Sequence, residues 1–169
     1  MVVRKQTRGF TLFELTIVVL VIGLISVVAI PAMVSARTAP GLRAAANMLA
    51  ADIEYCQSAC INTPQALQVV QFDTTNNKYW VALASSPNTP STHPADGLPY
   101  SNDFQTGRSA ALNGVSISGA VLNGGTTLAF DAYGRPQTGG VNAVITLSAT
   151  NGTVTVTVDG ATGDISIGG

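Results

Sequence analysis

Charged residues are scarce in this chain. They make up 10% of its 169 residues, and eight basic residues stand against nine acidic ones, whereas charged residues usually account for about 25% of a soluble domain. This near-neutral balance lacks the basic surface that nucleic-acid binding requires. Because hydrophobic residues reach 46%, the composition predicts one strongly apolar segment joined to an ordinary polar domain.

Residue types that carry out catalysis are also few. The single histidine, His93, lies in a proline-rich stretch, and neither Cys56 nor Cys60 is near it in the sequence. No spacing of Cys and His matches a zinc site. Neither Lys5 nor Lys78 follows a glycine-rich turn, as a phosphate-binding loop requires. The sequence therefore predicts a chain that is not an enzyme and that holds no metal or cofactor.

An uncharged segment of twenty residues, 15–34, stands near the N-terminus. As a helix rising about 1.5 Å per residue, it is long enough to span the hydrocarbon core of a bilayer, about 30 Å. A secretory signal peptide has a shorter apolar region of roughly 7 to 15 residues. We therefore predict a transmembrane helix. Three basic residues precede it and favour a cytoplasmic N-terminus: Arg4, Lys5 and Arg8.

Glu14 is an acidic residue at the start of this apolar stretch. A charge at the centre of a bilayer costs about 2.5 to 3.5 kcal/mol, and less near the surface. A carboxylate in this position therefore needs a partner or has a function. An α-amino group exposed by a cut shortly before Glu14 would supply a positive charge to pair with it.

Residues 8–15, Arg-Gly-Phe-Thr-Leu-Phe-Glu-Leu, contain a site for such a cut. They closely resemble the class III leader of type IV pilins and type II secretion pseudopilins. The resemblance implies that a prepilin peptidase cuts between Gly9 and Phe10 and that Phe10 is then N-methylated. It also implies that Glu14 pairs with the terminal amine of a neighbouring subunit during filament assembly, and that Pro31 bends the helix.

A second helical stretch follows and runs to about Ile61. Pro40-Gly41 predicts a kink or a break near its start, and Asn62-Thr63-Pro64 ends it. Apolar residues at helical spacing predict one buried face: Leu42, Ala46, Leu49, Ile53, Cys56 and Cys60. This face is small and rich in alanine, so we expect it to pack against a sheet.

Cys56 and Cys60 are four residues apart on this helix and therefore lie on one face. Their Cα atoms would be about 6 Å apart, which is just within the range for a disulfide. An oxidising compartment would permit the bridge. Helical geometry directs the two Cβ atoms poorly for it, however, and both residues belong to the apolar face. The sequence leaves a disulfide and two buried thiols as alternatives.

The pattern changes to alternation after residue 65 and predicts short strands. A hairpin is predicted from strands Ala66–Asp73 and Lys78–Ala84, with Val69, Trp80 and Val81 among its packing candidates. A proline-rich loop is predicted at 85–107. Five later strands are predicted: Val115–Leu122, Thr126–Asp131, Val141–Ala149, Thr153–Asp159 and Asp164–Ile167. Asn151-Gly152 favours a tight type I′ turn between two of them. Asp159 and Asp164 bracket another turn, without the ligand spacing of a calcium loop.

Residues 130–136, Phe-Asp-Ala-Tyr-Gly-Arg-Pro, and the terminal Gly-Asp-Ile-Ser-Ile resemble the GspH/FimT group of minor pseudopilins and minor pilins. With the leader, they imply an α+β, type IV pilin-like fold. A long N-terminal helix, membrane-spanning in its first half and amphipathic in its second, would pack on an antiparallel β-sheet domain. The expected parts are a leader at 1–9, a transmembrane or filament-core helix at 10–35, an amphipathic helix at 36–62 and a β-rich domain at 63–169.

The resemblance implies a minor pseudopilin, which is an assembly subunit of a type II secretion pseudopilus. The alternative is a minor type IV pilin that primes pilus assembly, a class in which some members act in DNA uptake. The implied partners are the prepilin peptidase, other pilins or pseudopilins, the inner-membrane assembly platform and the lipid bilayer. The implied location is the bacterial inner membrane, with a single pass, a cytoplasmic N-terminus and a periplasmic domain. Without the leader, five basic and nine acidic residues remain, so nucleic acid is not an expected partner.

Overall fold

The structure is a computed structural model that describes residues 11–112, 114–150 and 152–169, with the backbone alone described at 25–40 and 108. The chain divides into two units, of which the first ends at Ala36 and the second begins at Arg37.

One long helix, α1, runs from Leu12 to Asn62. It ends at the Asn62-Thr63-Pro64 sequence, as predicted. The expected break at Pro40-Gly41 is absent, because the backbone is helical through both prolines within α1. A proline inside a helix removes one hydrogen bond and crowds the preceding turn, and here the helix continues beyond that local loss.

Among the described residues, eight strands and one 3₁₀ helix follow α1, and neighbouring strands in each sheet are antiparallel. The strands are β1 Gln68–Asp73, β2 Lys78–Leu83, β3 Ser101–Asp103, β4 Ser116–Val121, β5 Thr127–Ala129, β6 Ala143–Ala149, β7 Gly152–Val158 and β8 Ile165–Gly168. The 3₁₀ helix spans Gly107–Leu112. One sheet has the order β3-β2-β1-β5 and the other has the order β4-β6-β7-β8.

The predicted hairpin and the later strands are present, with ends that differ by a few residues. The predicted strand Thr126–Asp131 is reduced to β5 and pairs with β1 in the first sheet. Strands β6 and β7 pair from Ala143↔Val158 to Ala149↔Gly152, while Asn151 of the predicted turn lies outside the described residues.

The predicted loop 85–107 is shorter than expected, because it contains strand β3 and the start of the 3₁₀ helix. Ser101–Asp103 has a composition that disfavours strands. Its pairing with β2 comes from tertiary contacts, since Asn102 is buried and lies opposite Tyr79. Local sequence preference could not reveal this strand.

The core of the second unit lies between α1 and the two sheets. All six residues of the predicted helix face are buried, and Val69 and Val81 are buried as well, while Trp80 is half-buried. The alternation along β6 and β7 places Ile145, Leu147 and Val156 inside. The expectation that the amphipathic half of the helix packs against a sheet is therefore confirmed.

Candidate functional site

The described chain begins with a helix cap at the assembly segment predicted from the sequence. Thr11 Oγ1 accepts the Glu14 N–H at 3.2 Å, and Thr11 O accepts the Leu15 N–H at 3.1 Å. Thr11 is thus the N-cap of α1. Gly9 and Phe10, the predicted cleavage and methylation site, lie outside the described residues.

Glu14 occupies the first turn of α1 and is exposed. The first N–H groups of a helix carry a partial positive charge, so a carboxylate is favoured in this turn. Thr11 and Glu14 have the spacing of a capping box, in which a Thr is followed three residues later by a Glu. The Glu14 side chain therefore lies at the surface, three residues after the N-cap.

Large apolar side chains are exposed around the whole circumference of the first turns of α1. Consecutive residues from 17 to 22 are all apolar, so they cover every direction around the helix rather than one stripe. The exposed fractions range from 46% at Val18 to 84% at Leu12. The set, named here the apolar collar, comprises Leu12, Phe13, Leu15, Ile17, Val18, Val19, Leu20, Val21, Ile22 and Leu24.

The predicted membrane span extends past this collar. Within the part of the chain whose side chains are described, no helix is long and apolar enough to cross a membrane. The side chains of residues 25–34 of the predicted span, which include Pro31 at the predicted bend, are outside the described part.

A buried carboxylate, Asp52, lies at the centre of the second unit. Tyr79 Oη–H donates to Asp52 Oδ2 at 2.6 Å, and Tyr100 Oη–H donates to Asp52 Oδ1 at 2.8 Å. Asn102 Nδ2–H donates to Asp52 Oδ2 at 2.6 Å, and Ser109 Oγ–H donates to Asn102 Oδ1 at 3.4 Å. These five residues, named here the Asp52 network, join α1 to β2, β3 and the 3₁₀ helix.

The Asp52 network also sets the ionisation of Tyr79. Burial raises the pKa of Tyr79 well above its ordinary value, and the nearby Asp52 charge raises it further. Tyr79 therefore remains a hydroxyl donor to Asp52. Asp52 is not among the residues predicted from the sequence. A signal was available, because an acidic residue at position 52 stands on the same helix face as Leu49, Ile53 and Cys56, and a carboxylate on an apolar face needs buried donors.

Cys56 and Cys60 are both buried and unbridged, so the disulfide that their spacing permits is not formed here. Cys60 Sγ accepts the Gln68 N–H at 3.2 Å and donates to Gln68 O at 3.3 Å. The hydrogen bond from Cys56 lowers the pKa of Cys60 to about 7, and the same bond raises the pKa of Cys56. The pair joins the end of α1 to the start of β1.

The residues of the 130–136 motif form a tight turn near the end of α1. Asp131 Oδ1 accepts the N–H groups of Tyr133 and Arg135, each at 2.9 Å. These bonds to the carboxylate lower the pKa of Asp131. Gly134 has a φ of 77°, and Gln57 Nε2–H from α1 donates to Gly134 O at 3.4 Å. Gln57 also donates to Gly163 O at 2.8 Å, so this one side chain hydrogen-bonds both the turn at Gly134 and the turn at Gly163 to α1.

The remaining candidate residues lie in separate loops and turns. His93 lies in the loop after β2, away in sequence from both cysteines and with Asp96 and Tyr100 as its neighbours. Asp159 Oδ1 accepts the N–H groups of Ala161 and Thr162 and so closes its own turn. Across the described ranges, no group of three or more His, Cys, Asp or Glu residues could hold a metal ion.

The fold is that of a type IV pilin-like protein. No family model matches the chain, and no curated protein matches it. The structure is similar to the crystal structure of the type IV minor pilin FimU of Pseudomonas aeruginosa, with a TM-score of 0.52 and 18% sequence identity. The similarity covers 76% of this chain and 88% of that chain. The predicted α+β fold, with an N-terminal helix and antiparallel sheets, is thereby confirmed.

Proposed function

We propose that this chain is a minor subunit of a type IV pilin-like filament, inserted into the inner membrane before it assembles. The observation that carries the proposal is the apolar collar on α1. Full burial of one such side chain is worth about 1.5 to 3 kcal/mol. Ten side chains that are about half exposed or more therefore represent on the order of 10 kcal/mol that burial would gain.

An apolar surface around a whole helix fits two environments in turn. Lipid surrounds a single helix on all sides, and the helices of neighbouring subunits do the same in a filament core. A binding site for one partner would need only one apolar stripe. The collar therefore supports a helix that moves from the bilayer into a filament.

Glu14 gives this helix a directional contact. We infer that the carboxylate pairs with the N-terminal amine of an adjacent subunit, freed when a prepilin peptidase cuts between Gly9 and Phe10 and then methylated. A charge-assisted hydrogen bond is shorter and stronger than a neutral one, and its strength increases in apolar surroundings. The exposure of Glu14 supports this role, because the carboxylate is accessible to a neighbour.

Two machines use subunits of this kind, and we propose the secretion pseudopilus first. In it the chain would be a minor pseudopilin that helps to export folded proteins across the outer membrane, with its domain in the periplasm and its N-terminus in the cytoplasm before assembly. The alternative is a minor pilin of a type IV pilus, which is the kind of subunit that the structurally similar FimU is. Nucleic acid is not a proposed partner, because the basic residues that would remain after cleavage are five and scattered.

Glu14→Ala tests the assembly role directly. We expect the variant to be inserted and cleaved, because neither step uses the carboxylate, and to be lost from sheared filaments in an immunoblot. Glu54→Ala is the matched control, since Glu54 is an exposed acid on the same helix. Normal incorporation of Glu14→Ala would remove Glu14 from the mechanism.

Deletion of the gene in its native host separates the two machines. Loss of secreted enzymes with intact surface pili would support the pseudopilin, whereas loss of pili or of DNA uptake with intact secretion would support the minor pilin. If the deletion strain kept secretion, pili and DNA uptake, both assignments would be refuted.

A further inference from the structure

The tip of the loop after β2, residues 93–98, is closed around the His93 imidazole. The backbone N–H of His93 donates to Leu98 O at 2.8 Å, and the backbone N–H of Gly97 donates to His93 O at 3.0 Å. The Ala95 N–H donates to His93 Nδ1 at 3.2 Å. Because a backbone amide can only donate, this contact requires a lone pair on Nδ1, which a neutral imidazole with its proton on Nε2 supplies.

A carboxylate lies beside the same nitrogen. Asp96 Oδ1 is 3.4 Å from His93 Nδ1, and it also accepts the Leu98 N–H at 3.1 Å. An imidazole lone pair and a carboxylate oxygen are both acceptors, so they repel each other at this distance. A protonated Nδ1 would instead donate to Asp96. The nitrogen has one position for either a lone pair or a proton, so the Ala95 bond and an Asp96 bond exclude each other.

Other groups face His93 from the rest of the domain. The Tyr100 ring meets the imidazole edge to face, with 4.3 Å between ring centroids. Tyr100 in turn contacts two residues of α1: its ring centroid lies 5.3 Å from that of Tyr55, and its hydroxyl donates to Asp52 at 2.8 Å. The His93 side chain is 20% exposed, so water can deliver the proton.

We infer that His93 is a charge-dependent switch at the tip of this loop. In the neutral state its Nδ1 accepts the Ala95 N–H, and in the protonated state Nδ1 donates to Asp96 and releases the Ala95 N–H. Histidine is the side chain that ordinarily changes charge between pH 5 and 8. The tip therefore presents a different set of backbone groups at the two ends of that range, while Tyr100 holds the base of the loop on α1. This switch does not depend on the proposed filament role.

Nuclear magnetic resonance on the full ¹⁵N-labelled chain in detergent micelles tests the switch. We expect imidazole ¹⁵N shifts to show an unprotonated Nδ1 at pH 8. As the pH falls to 5, the Ala95 amide proton should move upfield, because it loses its acceptor, with the same midpoint as the imidazole. An Ala95 amide that stays constant between pH 8 and 5, or that moves only below pH 5, would overturn the proposal.

Two variants separate the parts of the switch. His93→Gln retains a neutral acceptor that does not titrate in this range, so the Ala95 amide should become constant from pH 8 to 5. Asp96→Asn removes the acceptor for the protonated imidazole, so the midpoint of the Ala95 change should move to lower pH. A midpoint unchanged in Asp96→Asn would refute the exchange between Ala95 and Asp96.

Discussion

Removal of the Asp52 carboxylate should destabilise the domain more than any exposed substitution on α1. Asp52→Ala takes an acceptor from three buried donors, namely the Tyr79 and Tyr100 hydroxyls and the Asn102 amide, of which the amide keeps its bond to Tyr79 Oη at 3.1 Å. A buried donor left unsatisfied costs about 1 to 3 kcal/mol. Water entering the vacated space will satisfy some of the three, so we expect a loss of about 3 to 6 kcal/mol.

A loss of this size is a large fraction of the total stability of a domain, which is about 5 to 15 kcal/mol. Trp80 is the one tryptophan of the chain and lies in β2, so its fluorescence reports urea unfolding of the domain in detergent solution. Tyr100→Phe removes a single bond to a charged group and should cost about 1.5 to 3 kcal/mol.

The matched control is Glu54→Ala, which removes an exposed acid two residues away and should change the stability by less than about 0.5 kcal/mol. The reasoning fails if Asp52→Ala unfolds within about 1 kcal/mol of the unaltered chain. It also fails if Asp52→Ala and Glu54→Ala have the same urea midpoint.

Three further perturbations test the turns and the thiols. Gly134→Ala should lower the free energy of unfolding by about 1 to 2 kcal/mol, because Gly134 has a φ of 77° and a Cβ there would lie 2.8 Å from Ile61 Cδ1. In urea unfolding, the double variant Gly134→Ala/Ile61→Ala should recover part of the stability lost through this close contact. Both thiols are buried and unbridged, so mass spectrometry should find no iodoacetamide adduct in the folded chain and two adducts in urea without reductant. The pKa of Asp131 is lowered from 3.8. The stability that its ionised carboxylate gives to the fold is therefore complete above pH 3.8 and is lost as the pH falls through the lowered pKa. Asp131→Asn should reduce the acid sensitivity of unfolding below pH 4.

Local sequence signals predicted the elements whose pattern is periodic. The apolar face of α1, the β1–β2 hairpin and the β6–β7 pair could be identified because a buried face repeats at the period of its element. Their ends differ from the predicted ones by a few residues, because pairing partners decide where a short strand stops.

Features that depend on distant residues could not be read in this way. Strand β3 exists because Asn102 reaches Asp52, which is fifty positions away in the sequence, and β5 joins the first sheet because it pairs with β1. Continuity of α1 past Pro40 was also missed, because local rules give the cost of a proline but not the gains of the helix around it. Glu14 stood out in the sequence, since a charge at the start of an apolar stretch is unusual. An acid on an apolar helix face was also a signal at Asp52, but its three donors, 27 to 50 positions away, could not be identified from the sequence.

The most direct test of the filament proposal is mass spectrometry of the N-terminus of this chain in filaments sheared from its native host. The account predicts a peptide that begins at Phe10 and carries a methyl group on its α-amine, recovered in the filament fraction. Recovery of the chain only in the membrane fraction with Met1 intact would contradict both the cleavage and the assembly that we propose.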